Sequence, residues 1–231
     1  VFEHLGGKSE RLICGTANSW LFPKGAALNA MAIECIPEAE AIVRATVPGL
    51  PDEAFFNDGQ ITKSEIRAIT LSRLMPVVDQ VLWDIGAGCG SISIEWMRFN
   101  PRCRAIAIEK SKTRTKIIEK NAFELGVPTL QILNGIAPQV LKDLSPPDAI
   151  FIGGGITTKR MLQTCWNKLN PGGRLVSNVV TLEGEKELLS WQSENGGDLT
   201  RINISHVEKL GKFKGWKELR SVMQLALIKK I

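Results

Sequence analysis

The sequence predicts an α/β fold in which a doubly wound, mostly parallel sheet of seven strands carries an antiparallel hairpin at one edge. Three observations predict it. Short apolar runs alternate with segments of helical pattern from residue 81 to residue 180, the signature of a parallel sheet covered on both faces. The first run, Val81-Leu82-Trp83-Asp84-Ile85, is followed by glycine at positions 86, 88 and 90, a tight strand-to-helix turn in which backbone lies open to a close-packed ligand. The last two runs, 202–207 and 222–228, have no helical segment between them, so they are expected to pair as the edge hairpin that open α/β sheets commonly carry.

Taken in order, residues 1–47 stand apart. Leu28 to Cys35 reads as a strand, and Val47-Pro48-Gly49-Leu50-Pro51-Asp52 is a Pro/Gly break typical of a linker. Residues 1–47 are therefore expected to be the end of an upstream domain and 48–231 a second domain. Because the chain opens on Val with no signal-like segment, it is expected to be a fragment lacking its natural start. Thr62-Lys63-Ser64-Glu65 has capping-box spacing, and Ile66, Ile69, Leu71, Leu74 and Met75 continue as a helix stopped near Pro76, over the mouth of the sheet. Strands follow at 81–85, 105–109, 129–133, 148–152 and 174–180. Helices are expected from 91, over 112–125 with Gly126 as its C-cap, from about 138, and over 157–169.

The composition, 44% hydrophobic and 23% charged over 231 residues, suits one domain and a little more, and no apolar run is long enough to span a bilayer. Cys14, Cys35, Cys89, Cys103 and Cys165 are scattered and odd in number, which argues for a reducing compartment, hence a cytoplasmic location, and against zinc or a disulfide framework. No metal is expected. His4 and His206 are too far apart in sequence for a His-centred catalytic group to be expected. The net charge of +5 arises in the tail: residues 201–231 carry eight Lys or Arg against two acids, whereas 51–200 are balanced. Lys209, Lys212, Lys214 and Lys217 interleave with Phe213 and Trp216, and Gly211 and Gly215 make the segment a loop. It reads either as a solvated basic loop or as a platform for a large, flat, anionic substrate.

The glycine spacing selects the ligand. A dinucleotide fingerprint needs Gly or Ala three positions after its second glycine, but position 91 is Ser and the third glycine is Gly90. This G-x-G-x-G form, with Asp84 two residues ahead, is the pattern of S-adenosylmethionine-dependent methyltransferases. Ala105-Ile106-Ala107-Ile108-Glu109 ends in a carboxylate 19 residues after Gly90, placed to accept both ribose hydroxyls of an adenosine. Asn134-Gly135-Ile136-Ala137 can face the adenine, and Gly153-Gly154-Gly155 leaves room for substrate. Methyl transfer from a sulfonium needs alignment and a dry pocket more than covalent help, so no triad is expected. The catalytic candidates are Glu95 and Asp84. Asp84 can equally cap backbone donors, and Glu95 can pair with Arg98 at the surface.

The run Pro48 to Phe55, the segment Gln60 to Arg67, Leu82 to Ser91 with Ile94-Glu95-Trp96-Met97-Arg98, and Phe151-Ile152-Gly153-Gly154-Gly155 together resemble the decarboxylating precorrin-6Y methyltransferases of cobalamin biosynthesis, over about residues 48–231. Glu3 to Gly7, Gly15 to Ala17 and Leu28 to Cys35 are similar to the end of the tetrapyrrole methylase domain that precedes it in that family. The resemblance implies a class I, Rossmann-like methyltransferase that methylates carbon 15 of the macrocycle and decarboxylates the acetate side chain on ring C, carbon 5 falling to the upstream domain. By the same resemblance the S-adenosylmethionine site falls on Thr62, Gly86, Ala87, Gly88, Cys89, Gly90, Glu109 and Ala137, with Asp84, Lys110 and Gly135 beside them. Cys89 stands where many relatives have a small hydroxyl residue. The expected substrate contacts are Gly153, Gly154, Lys209, Lys212, Phe213, Lys214 and Trp216.

The competing reading is a tRNA methyltransferase, since a basic tail also suits phosphate. Against it, residues 51–200 are neutral and no Asn/Asp-Pro-Pro motif follows the run 148–152. A catalytically silent donor-binding module is the third. The expected partners are the tetrapyrrole substrate and further copies of the chain, in a homo-oligomer such as a tetramer, with no nucleic acid and no membrane.

Overall fold

The structure, a computed structural model, describes residues 1–230. The chain divides into two units, Val1–Val43 and Arg44–Ile231. In the first, β1 (Phe2–Glu3), β2 (Arg11–Leu12) and β3 (Asn29–Ala30) form a small antiparallel sheet in the order β2-β1-β3. The strand expected over 28–35 is reduced to the two residues of β3, because Met31 and Ile33 lie exposed with no apolar face to cover them.

The second unit begins with α1 (Ser64–Leu74) and continues β4 (Val81–Ile85), α2 (Ser91–Phe99), β5 (Arg104–Glu109), α3 (Lys112–Glu124), β6 (Gln131–Asn134), β7 (Ala149–Ile152), α4 (Met161–Lys168), β8 (Arg174–Val179), α5 (Leu182–Asn195), β9 (Asp198–Ile202), β10 (Ser205–Leu210), β11 (Phe213–Glu218) and β12 (Val222–Ile228). Seven strands make the main sheet, in the order β6-β5-β4-β7-β8-β12-β9. The pairs β6-β5-β4-β7-β8 are all parallel. Strand order reverses at β4, whose two neighbours β5 and β7 lie on opposite sides, and a ligand crevice is expected beyond the carboxyl ends at such a point.

The pleat sorts side chains between two cores. Leu82, Ala107, Phe151 and Val176 pack with Leu71, Leu74, Ile94, Trp96 and Ile118 from α1, α2 and α3. Trp83, Ile85, Ile150, Ile152, Leu175 and Leu225 face the other way, toward Met161, Leu162, Cys165, Leu188 and Trp191 of α4 and α5. Helices on both faces of one sheet make it doubly wound, as the sequence predicts.

Several boundaries differ. The run 202–207 is split between two elements, and the partners of β12 are β8 and β9, both antiparallel. A nearly continuous apolar strand such as β12, with Val222, Met223, Leu225 and Leu227 all buried, belongs inside a sheet rather than at its rim. The expected basic loop is a two-stranded hairpin of its own, β10 with β11, closed by Gly211 at φ 62°. The helix expected from 138 is a single 3-10 turn, Gln139–Leu141, held by the buried Leu141; Pro138, Pro146 and Pro147 leave no room for more. Helix α4 starts at Met161, because Arg160 adopts a left-handed backbone. Helix α5, which the apolar pattern does not signal, buries only Gly184, Leu188 and Trp191, and Thr181 caps it. The capping box before α1 does not form: its N-cap is Lys63, without a side-chain bond.

Candidate active site

The turn between β4 and α2 is built on glycine for two separate reasons. A Cβ at Gly86 would lie 2.8 Å from the Gly154 nitrogen, so the loops after β4 and β7 abut backbone to backbone. At Gly88 (φ 61°) a Cβ would meet nothing nearer than the Gln60 carbonyl at 4.0 Å. That position faces open space, and a ligand can lie against its backbone.

Two buried carboxylates flank the turn. Glu109, at the end of β5, accepts hydrogen bonds from the Gly88 nitrogen (3.0 Å, Oε2) and the Ser111 nitrogen (2.9 Å, Oε1). A carboxylate offers about four acceptor directions, so both oxygens keep capacity for a pair of hydroxyls. Asp84 is 1% exposed. Its Oδ2 caps α2 by accepting from the Ser93 nitrogen (3.1 Å) and hydroxyl (2.6 Å), and its Oδ1 has no partner among the described residues. Burial pushes its pKa up to about 6, against the Ser93 hydrogen bonds, which lower it; the negative Glu109 adds to the rise. An orphaned buried acceptor, a ribose-type carboxylate and an uncovered glycine backbone fit a nucleoside-bearing cation such as S-adenosylmethionine.

Residues 55–62 form a strap over the turn. Asn121, buried on α3, accepts from the Phe56 nitrogen (2.8 Å) and donates to the Phe56 carbonyl (2.8 Å) and the Cys89 carbonyl (2.9 Å). Arg114 donates to Asp58 (2.8 Å) and Gln60 (2.6 Å), and the Lys120 ammonium lies 3.4 Å from the Phe56 ring centre. At the root of the strap, the fully buried Arg67 donates to Glu95 (2.6 Å), to Asp52 (3.3 Å) and to the Leu50 and Thr62 carbonyls. Glu95 also accepts from the Gly49 and Leu50 nitrogens. The surface pair of Glu95 with Arg98 is thus corrected. Glu95 is buried and bound to Arg67, while Arg98 donates to the Leu125, Arg44 and Ala45 carbonyls. With both oxygens occupied, Glu95 holds the strap and is not free to act on a substrate.

The remaining expected donor residues fall around the same crevice. Thr62 offers its carbonyl to Arg67. Cys89 is buried, which raises its thiol pKa. Gly135 donates its N–H to the Glu109 carbonyl (3.1 Å), and a Cβ there would lie 2.3 Å from Val140 Cγ1. Ala137 packs in the core beside Leu141, and Lys110 is exposed. Ala87 donates its N–H to the Ile108 carbonyl and Gly90 its N–H to Ala87.

The substrate residues do not gather in one place. Gly153 and Gly154 adjoin the glycine turn, the Gly153 nitrogen bonding the Ile85 carbonyl at 2.9 Å. The hairpin residues divide by register: Lys209, opposite Lys214, and Val207, opposite Trp216, share one face, whereas Phe213, opposite Leu210, is on the other with the Lys217–Glu208 pair (2.8 Å). Lys212 sits in the turn. Of the platform expected of Lys209, Lys212, Phe213, Lys214 and Trp216, the register keeps Lys209, Lys214 and Trp216 on one face and sends Phe213 to the other. Sequence reasoning missed Asn121, Arg67 and Arg114. A signal existed for the first two, each a polar residue on an otherwise apolar helical stripe with Ile118, Ala122 and Leu125 or with Ile66, Leu71 and Leu74.

Residues 53–229 match the model of a family described as the precorrin methyltransferase domain. The chain is 42% identical over 224 residues to a precorrin-6Y C(5,15)-methyltransferase [decarboxylating] of Sinorhizobium sp, covering 97% of this chain and 54% of that protein. It therefore spans about half the length of such relatives. It is 35% identical over 156 residues to a protein of Saccharolobus solfataricus named as a cobalt-precorrin-6B C(15)-methyltransferase (decarboxylating), covering 65% of this chain and 78% of that one. The crystal structure of the C-terminal domain of precorrin-6Y C5,15-methyltransferase from Rhodobacter capsulatus is 43% identical, with a TM-score of 0.76, covering 80% of this chain and 100% of that one. On the match over residues 53–229 and these identities, the chain belongs to the precorrin methyltransferase domain family.

Proposed function

We propose that this chain transfers a methyl group from S-adenosylmethionine to carbon 15 of precorrin-6Y and releases the ring C acetate carboxyl as carbon dioxide. The observation that carries the reading is the crevice at the reversal of strand order, where the Glu109 carboxylate meets the open backbone of Gly88 and the buried Asp84 lies at the root of the turn. The Saccharolobus relative, of which this chain covers 78%, is named for carbon 15 alone. That supports assigning carbon 15 to residues 48–231 and carbon 5 to the remainder of the longer relatives.

When bound, the donor supplies a methyl group already activated on a sulfonium. The chain's own residues bind and orient. Glu109 accepts the ribose hydroxyls, the Gly86–Gly90 turn lies along the donor, and the strap fixed by Asn121, Arg114 and Arg67 borders the turn. Asp84 and Glu109 supply negative charge beside a cationic donor. The loop after β7, packed against Gly86, is where a methyl acceptor comes within reach. Residues 1–47 are read as the end of an upstream tetrapyrrole methylase domain, supported by the 97% coverage in the Sinorhizobium alignment. We further place the enzyme in the cytoplasm and its working form as a homo-oligomer.

The test is incubation with methyl-labelled donor and precorrin-6Y, with tRNA in a parallel reaction. Label in the macrocycle together with released carbon dioxide supports the reading; label in tRNA and none in the macrocycle replaces it with the RNA alternative.

A further inference from the structure

We infer that Lys159 and Arg160, on the loop after β7, anchor carboxylates of the macrocycle, and that the basic hairpin does not. The inference rests on the reading above, since it names which residues hold the polycarboxylate.

The loop begins at Gly153 and Gly154, which abut Gly86 of the donor turn. It is held rigidly. Ile156 and Met161 are buried in the core under the sheet, Thr158 donates its N–H to the Gly155 carbonyl (3.0 Å), and Met161 donates to Thr158 (3.0 Å). That fold presents Lys159 and Arg160, both exposed, at its outer end, with Arg160 in a left-handed conformation (φ 63°) unusual for a side chain of its size. Two cations at the strap are already engaged, Arg114 with Asp58 and Gln60 and Lys63 with Asp52. Lys159 and Arg160 have no ion-pair partner among the described residues. Lys110 and Lys112 are also exposed, but they follow Glu109 on the ribose side of β4. Beyond β8, the exposed Val180 and Leu182, the first residue of α5, offer an apolar surface for a macrocycle face beside two charges for its rim.

The hairpin leaves the sheet from β9, four strand positions from β4, and its base folds onto the start of α1, where His206 Nε2 lies 3.3 Å from Glu65 Oε1. The loop after β7 is one position from β4. The loop after β7 adjoins the donor turn itself through Gly154 and Gly86, whereas the hairpin meets the rest of the unit at the start of α1.

The experiment compares the double variant Lys159→Ala/Arg160→Gly with the hairpin double variant Lys209→Ala/Lys214→Ala, measuring KM and kcat for precorrin-6Y and donor affinity by calorimetry. Glycine at 160 suits the left-handed backbone, so the first variant is not expected to fail by misfolding. The loop variant should raise KM at least tenfold, keep kcat within about threefold and leave donor affinity unchanged; the hairpin variant should change KM less than threefold. An unchanged KM in the loop variant, or a matching loss of donor affinity, overturns the inference while wild-type turnover leaves the functional reading standing. If wild type does not turn over precorrin-6Y, the reading fails and the inference falls with it.

Discussion

Replacing Glu109 by Ala removes the acceptor that the account places under the donor ribose. In the protein alone the carboxylate serves two backbone donors, Gly88 N–H at 3.0 Å and Ser111 N–H at 2.9 Å, both partly exposed, so water can replace it and the fold should lose about 1–2 kcal/mol. Donor binding should lose more. Two charge-assisted hydrogen bonds to ribose hydroxyls, each about 1.5 kcal/mol net, sum to about 3 kcal/mol, or roughly a hundredfold in affinity. Glutamine is no milder, because its amide N–H₂ must face either the Gly88 or the Ser111 N–H, donor against donor. Calorimetric titration with S-adenosylmethionine, beside thermal unfolding of the same samples, separates the two effects. A folded Glu109→Ala variant with donor affinity within threefold of wild type would refute the ribose assignment.

Other perturbations discriminate between parts of the site. Arg67→Met leaves Glu95 buried without its cation and should cost about 3–5 kcal/mol in denaturant unfolding, while Arg67→Met/Glu95→Leu should cost less than the sum of the single changes. Gly88→Ala and Gly90→Ala both place a side chain at positive φ, at about 1–2 kcal/mol each. Only Gly90→Ala also meets a neighbour, Ile118 Cγ2 at 2.9 Å, so Gly90→Ala should unfold first in a thermal melt while Gly88→Ala loses donor affinity in a better-folded protein. With a folded pKa of about 6, above the unfolded value, Asp84 favours the fold while protonated below about pH 4, and this advantage is lost as pH rises through 6. Relative to Asp84→Asn, wild-type stability should fall by about 3 kcal/mol from pH 4 to pH 7, and donor affinity should rise about tenfold from pH 5 to pH 7 as the carboxylate ionises.

How much of this was legible follows from the range of the interactions involved. The glycine turn and the acid at the end of β5 are local patterns of one strand, one turn and one helix start, and the structure brings Gly88 and Glu109 into contact. The strand order beyond β8 was not legible. The runs 202–207 and 222–228 look alike as apolar segments, and only the partners on both sides of β12, fixed by Ser177 and Leu199 opposite Leu225, show which is interior. The strap was half visible. Its sequence carried the family resemblance, but the hold on it by Asn121 spans 65 residues, a separation across which no periodicity points. The hairpin misled for a simple reason: a count of lysines in a window says nothing of the face each one takes, and register divides Lys209 and Lys214 from Phe213.

A crystal structure of this chain with S-adenosylhomocysteine decides whether the crevice at the reversal of strand order is the donor site. Both ribose hydroxyls are expected within hydrogen-bond distance of the Glu109 carboxylate, the amino-acid portion over Gly88, and the adenine beside Asn134 to Ala137. Density for the ligand elsewhere, or ribose hydroxyls that do not reach Glu109, would contradict that placement.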